Sequence, residues 1–540
     1  MASILSKKQV LVVDDFADMR SVLRGILRSL SINNFDLAAT ASEALAILQK
    51  RRPDIVLCDY NLGEGKDGQQ VLEEARERQL IGVDTIYVML TAENTREMVM
   101  AAVEYVPDSY LTKPFTAELL KTRLEKLVQQ KAQLSGVNEA LVAKDYAGAI
   151  TELNTLLTSG PKNPLELLKI KAEALISSNQ LDAAQKVYQS ILKDRDVRWA
   201  RLGAGKVQLL RKDYTQAEET LKALISADRY MIQAYDVLAK TLMAQGRTED
   251  AEKVLQQAAE LSPRGLKRQI ELGRVALNSG NTQTAEKAFG RAVNLAKYSR
   301  YNHPSIHSSL AKSLTANGKH TEATKVVSEL GRAFSGHEEV EFHKATADAM
   351  IKANQGNLKE AAAALAIAEH ALGESSGDQA AELGLEMVKA YAKLGQHDKA
   401  EAMLRQAIAN NHDDDAFIAE VKQVCQSAGM GDEGDKKIQR VQQEIIKVNN
   451  AGVRLIKQGE FDAAIKLLRK AADEMPGNKT VNLNAAKAII MKMEQKGSTK
   501  EEVQLVRGYV EHVRSAAPED WRLADISARL QRLVTKQKEA

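Results

Sequence analysis

Asp54-Ile55-Val56-Leu57-Cys58-Asp59-Tyr60-Asn61-Leu62-Gly63 decides how the first quarter of the chain folds. Four apolar residues run together, stop at a carboxylate and give way to a Gly-rich loop. A short apolar run of this kind reads as a strand buried on both faces. A carboxylate just past its end stands at the carboxyl edge of a sheet, where open α/β folds place their sites. Upstream, Gln9 to Val13 is another apolar run, ending in Asp14-Asp15. Helical spacing follows at Met19, Val22, Leu23, Ile26, Leu27 and Leu30, then a weaker strand over about Asp36 to Ala39, then a helix capped by Ser42 and reaching about Lys50. Downstream come a helix from about Gly68 to Arg78, a strand over Ile86 to Leu90 ending at Thr91, and a short helix over about 95–103. A brief strand over Tyr110 to Thr112, then Lys113-Pro114-Phe115, leads to a helix from near Thr116. Strand and helix alternate five times, which predicts an α/β doubly wound five-stranded parallel sheet with helices on both faces.

In such a sheet Asp14, Asp15, Asp59, Thr91 and Lys113 all fall at carboxyl ends of strands and converge on one edge. Three carboxylates together repel one another and need a cation to stay ionised. Oxygen ligands suit a hard divalent ion, and Mg²⁺ is the usual choice beside a phosphate. A carboxylate can attack phosphorus to form an acyl phosphate. The Lys113 ammonium would neutralise the charge that develops, and the Thr91 hydroxyl would bond the new phosphoryl oxygen. A lone Asp after a strand is ordinarily a turn or cap residue; five such residues, each at a strand end, are not explained that way.

Val12-Val13-Asp14-Asp15, Leu57-Cys58-Asp59, Leu90-Thr91-Ala92 and Leu111-Thr112-Lys113-Pro114-Phe115 resemble the signature set of bacterial response-regulator receiver domains, over roughly residues 7–130. The resemblance implies that Asp59 is the phosphoacceptor, and that Asp14, Asp15 and Asp59 hold Mg²⁺ with the Asn61 backbone carbonyl. It implies that Thr91 and Tyr110 form a switch pair, that Lys113 contacts the phosphoryl group through a cis Lys113–Pro114 turn, and that Asn61 and Glu93 set the dephosphorylation rate. The loop from Gly63 to Gly68 is one residue longer than the family's common form and lacks its usual Pro.

Beyond residue 130 the chain repeats itself. An Ala recurs at 149, 184, 217, 251, 285, 323, 361, 400 and 464, at separations of 35, 33, 34, 34, 38, 38, 39 and 64. Twelve residues upstream of seven of these stand Ala172, Gly205, Ala239, Gly273, Ala311, Ala349 and Gly452. Small residues at both places let paired helices approach closely. Gly246, Gly280, Gly318, Gly356, Gly395 and Gly459 supply the turns between them. One pair cannot bury its apolar stripe alone, so pairs must stack. The pattern resembles tetratricopeptide repeats without the family's Trp, and implies an all-α superhelical solenoid with longer loops near Tyr298–Pro304, Arg332–Glu338 and Gly373–Asp378. The expected division is a receiver at 1–130, repeats at 131–410, an irregular acidic and Gly-containing linker at 411–437, and a helical unit at 438–540 capped by an amphipathic stretch over Ala524 to Val534.

The remaining signals bound the function. Lys+Arg is 75 against Asp+Glu 72, a net charge of +3, too near balance to argue for nucleic acid. Two cysteines, Cys58 and Cys425, fit a reducing compartment, and Cys58 reads as strand packing. No apolar run suits a signal peptide or membrane span, so a cytoplasmic protein is expected. Tyr188, Trp199, Tyr214, Tyr230 and Tyr235 read as inter-helix core rather than peptide anchors. His303 and His307, four apart with no Cys or Glu beside them in sequence, read as a loop or surface pair rather than a metal pair. No phosphate-binding loop, zinc spacing, nucleophile elbow or DNA-binding unit follows residue 130. The expected protein is therefore not an enzyme with a catalytic output. It is a response regulator phosphorylated on Asp59 by a sensor histidine kinase or phosphotransfer protein. The surface of its fourth helix, fifth strand and fifth helix is then remodelled, and the repeats bind a protein target. The receiver fold also allows a homodimer. The alternative is a phosphorylation-independent scaffold that uses the receiver only for docking.

Overall fold

A computed structural model describes residues 4–92, 107–161, 163–299, 301–374, 379–427, 431–517 and 520–539. Five strands, β1 (Val10–Val13), β2 (Phe35–Ala38), β3 (Ile55–Asp59), β4 (Ile86–Thr91) and β5 (Ser109–Thr112), form an all-parallel sheet in the order β2-β1-β3-β4-β5. Alternate residues feed two cores, as the strand period of two requires. Leu11, Val13, Val56, Cys58, Tyr87 and Met89 pack on the helices Ala41–Lys50 and Gly68–Glu77. Val10, Val12, Ile55, Leu57, Val88 and Leu90 pack on Ala17–Ser29 and Ala117–Gln133. The cap of the second helix is Thr40 rather than Ser42: its side chain accepts from the Glu43 amide, and Ser42 lies inside the first turn. The helix expected over 95–103 lies outside the described residues.

From Ser135 onward, among the described residues, every regular element is helical, and successive helices pack on one another. All nine recurring alanines are buried, at 0–1% exposure. A Cβ on Gly205, Gly273 or Gly452 would stand 2.6–2.9 Å from Leu221, Phe289 or Leu468, sixteen residues on in each case, so those contacts require a bare Cα. Five residues before each alanine the backbone turns with positive φ. Glycine serves at 246, 280, 318, 356, 395 and 459, but Lys144, Asn179 and Lys212 take the same conformation in the first three pairs. Tyr188 and Tyr235 are buried, and Trp199 meets Tyr188 edge-on at 6.3 Å. The longer loops fall at 297–303 and 334–339; part of the third expected loop lies outside the described residues.

The described residues of 411–437 are mostly helical rather than an irregular linker. Asp415–Ser427 is a helix, and Gly431 opens a 28-residue helix to Gln458. Ile418, Val421, Val424, Cys425, Ile438, Val441 and Ile445 are buried. That apolar stripe outweighs the helix cost of Gly431 and Gly434. The acidic run serves as a cap, with the Asp414 carboxylate accepting from the Phe417 amide at 3.0 Å. Helix Asp415–Ser427 packs across the helices Ile232–Ala244 and Leu266–Asn278. There Glu420 accepts hydrogen bonds from Arg274 and from Asn278, and Lys389 donates to Asn278. Glu420→Ala removes an acceptor shared by two groups in a half-buried setting. It is expected to lower the array's stability by about 1–3 kcal/mol. An unchanged unfolding midpoint would mean that apolar contacts alone hold this helix. Among the described residues, no helix is long and apolar enough to cross a membrane.

Candidate functional site

The register of β1, β3 and β4 carries Asp14, Asp59 and Thr91 to one sheet edge: Val13 pairs with Cys58, and Asp59 with Leu90. Asp14 leaves β1 as its amide donates to Ala38 O at 3.1 Å, and its side chain is fully buried. Each of Asp14, Asp15 and Asp59 offers a carboxylate oxygen within 4.8 Å of the others. Lys113 reaches in from the end of β5, its Nζ 2.7 Å from Asp14 Oδ2 and 2.9 Å from Asp59 Oδ2. The Lys113–Pro114 bond is cis.

Electrostatics follow from this packing. Burial pushes the Asp59 carboxyl above its ordinary value; Asp14 and Asp15 add to the rise, and Lys113 opposes it. Burial alone would pull the Lys113 ammonium down, but its hydrogen bonds and charge contacts with Asp14 and Asp59 hold it above its usual value. One lysine against three carboxylates leaves the edge short of positive charge. Asp15 Oδ1 is buried without a hydrogen-bond partner. An orphaned carboxylate oxygen within a cluster of hard oxygen donors fits a divalent cation such as Mg²⁺.

Thr91 ends β4, and its carbonyl accepts from the Lys113 amide at 2.7 Å. Tyr110 is half-buried on β5, paired in register with Met89. Burial raises its phenol, and the Tyr60 hydroxyl is near enough to add to the rise. Asn61 is exposed in the loop after β3. Glu93 lies outside the described residues.

Sequence reasoning missed the parts played by several neighbours. Gly68 opens the helix Gly68–Glu77, and a Cβ there would lie 2.1 Å from the Asp59 carbonyl oxygen. Asp67 caps the same helix in a reciprocal pair with Gln70, a signal the D-x-x-Q spacing carries. Tyr60, next to Asp59, receives a hydrogen bond from Arg264 at 3.4 Å. Burial lifts the Asp67 carboxyl above its ordinary value, while the backbone amides it caps and the Arg264 charge oppose the rise. Ser299 donates to Glu73 at 2.8 Å. The loop after Asp59 and its helix are thus seated on two turns of the repeat array, through residues more than 200 apart in sequence.

A response regulator receiver domain model matches residues 10–125. Tetratricopeptide repeat models match 171–232, 237–293 and 270–338, and again 354–422. No catalytic output domain is among these matches. The chain is 36% identical over 132 residues to "Chemotaxis protein CheY-3" of Vibrio cholerae, spanning 24% of this chain and 99% of that protein. It is 31% identical over 122 residues to "Chemotaxis protein CheY" of Pseudomonas aeruginosa, spanning 23% and 97%. A solved structure of V. cholerae CheY4 shares 28% identity over 22% of this chain and 98% of its own, with a TM-score of 0.21.

Proposed function

Because the chain belongs to the response-regulator receiver family and continues into tetratricopeptide repeats, it is a two-component signalling protein, and we propose that phosphorylation of Asp59 governs what its repeats bind. The observation that carries this reading is the junction itself. Asp59 lies beside Lys113 and the two other carboxylates, and the very next residue, Tyr60, touches Arg264 of the array.

The chemistry follows from the residues. A carboxylate oxygen of Asp59 attacks the phosphorus of a phosphohistidine on a kinase or phosphotransfer protein. The O–P bond forms as the N–P bond breaks, and the electron pair stays on the imidazole nitrogen. Lys113 meets the charge that gathers on the phosphoryl oxygens. Asp14, Asp15, Asp59 and the Asn61 carbonyl would hold Mg²⁺, which would supply further neutralisation of that charge. Thr91 turns its hydroxyl to the new phosphoryl group, and Tyr110 follows into the space released. Tyr110 and Tyr60 neighbour one another, so the movement reaches Arg264 and the 262–265 turn. Domain limits of 1–130 for the receiver and 131–540 for the repeat output are part of the same proposal.

The test is hydrogen exchange on the full chain with and without Mg²⁺ and beryllofluoride, a mimic of the acyl phosphate. Protection is expected to change in 60–68 and also in 262–268 and 297–303. Change confined to the receiver would sink the reading. Arg264→Ala is expected to keep normal beryllofluoride binding and lose the response in the array.

A further inference from the structure

The geometry points to a binding site in the repeat array for one divalent transition-metal ion of the zinc class, held by His303, Glu339 and His343. These residues come from two longer loops and the helix beyond. His303 caps the helix Pro304–Ala316; Glu339 immediately precedes Val340–Asn354 without a side-chain cap bond, and His343 lies one turn into it. Their donor atoms all lie within 4.8 Å of one another. Glu339 Oε2 is 3.5 Å from His303 Nε2 and 3.2 Å from His343 Nε2. Donors bound at about 2.0–2.1 Å around one tetrahedral ion stand about 3.3–3.4 Å apart, so the three atoms already mark edges of such a polyhedron.

The surroundings fit the same assignment. His303 Nδ1 lies 2.9 Å from Ser305 Oγ and 3.3 Å from the Ser305 amide nitrogen; the tautomer protonated at Nδ1 gives up the amide bond, donates to Ser305 Oγ and leaves Nε2 free to ligate. Ser308 Oγ donates to the His343 carbonyl at 3.0 Å, which fixes one helix against the other and both imidazoles with them. His343 is 1% exposed, and its Nδ1 has no hydrogen-bond partner. Its other nitrogen, Nε2, is the one that faces Glu339. Phe342 closes one side of that ring at 5.3 Å, while His303 keeps 26% of its side chain open as a route in. His337, whose ring is 4.9 Å from that of His303, uses its Nδ1 to accept from the Glu339 amide, so the fourth position of the ion is left to water. Two imidazoles and a carboxylate favour Zn²⁺, Co²⁺ or Ni²⁺ over Mg²⁺, in contrast to the all-oxygen cluster of the receiver. The ion would pin the helices where the repeat period lengthens to 38.

The experiment is titration of chelator-stripped full-length protein with Co²⁺ in excess Mg²⁺, which fills the carboxylate cluster, followed by displacement with Zn²⁺. One Co²⁺ per chain is expected, with the visible absorption of a four-coordinate site that Zn²⁺ bleaches, and a higher unfolding temperature. His303→Asn, which keeps a good helix cap, and Glu339→Gln should each weaken binding about 10–100-fold or more with unchanged helicity. His307→Gln should bind as wild type, because His307 turns instead to Asn302. No stoichiometric Co²⁺ uptake by the wild type, or wild-type affinity in both ligand variants, overturns the assignment.

Discussion

Asp59→Asn is expected to abolish labelling by a small phosphodonor with Mg²⁺, to below about one hundredth of the wild-type level, because the amide offers no nucleophilic oxygen and forms no acyl phosphate. Labelling that persists in this variant would move the acceptor elsewhere. The same substitution should raise the unfolding temperature in the absence of divalent metal. Asp59 is 6% exposed, and burial lifts its carboxyl above the unfolded value, with Asp14 and Asp15 adding to the lift. The folded state therefore holds this proton more tightly than the unfolded state. Its stability falls as pH rises above the unfolded pKa of about 4, and the deficit persists at neutral pH. The advantage of the Asp59→Asn variant should accordingly be present at pH 7, shrink as the pH falls through the raised folded value, and be gone below the unfolded pKa of about 4. Adding Mg²⁺ should narrow it at pH 7. Calorimetry at the two pH values, with chelator and then with Mg²⁺, reads each of these signs.

Gly68→Ala should be the most damaging single methyl in the receiver. The added Cβ would meet the Asp59 carbonyl oxygen at 2.1 Å, its carbon at 3.0 Å and Cys58 Sγ at 3.0 Å. Two of the three are backbone atoms of a central strand and cannot swing away. The Gly68 carbonyl is also held by the buried Tyr87 hydroxyl at 2.9 Å, so the helix start cannot retreat freely. Overpacking of this kind costs about 1–3 kcal/mol, and any relief comes from shifting Asp59 itself. Lower receiver stability and slower labelling are expected together. Gly25→Ala is the matched control: it lies in a helix, a Cβ there meets nothing within 4 Å, and the exchange should stabilise by about 0.5–1 kcal/mol. Equal stability of the Gly68 variant and the wild type would refute the steric argument.

The contacts that were not legible share one feature. His303 and His307 are four apart, the spacing that puts side chains on one helix face, yet His303 is the cap at φ −133° and ψ 145°, outside the helix. The four-residue rule therefore does not apply, and its ring turns to Glu339 and His343. The segment after Asn411 looked like a linker because Asp and Gly crowd its ends, while the spaced Ile418, Val421, Val424 and Cys425 between them carried the helix. Lys144, Asn179 and Lys212 adopt the left-handed turn without glycine, since the stacked pair fixes that backbone whatever its side chain.

By itself the sequence determined the parallel sheet, the gathering of Asp14, Asp59, Thr91 and Lys113 along its edge, and the stacked helix pairs marked by buried alanines. Those features follow from periods of two and of 3.6, and from small residues at fixed offsets, all of which are local. Only the tertiary structure decided that Arg264 meets Tyr60, that Glu420 crosses to Arg274, and that His303 meets His343. The first two depend on where the superhelix has travelled after many small rotations from pair to pair, and the third on how one pair stacks on the next; no short window of sequence records either.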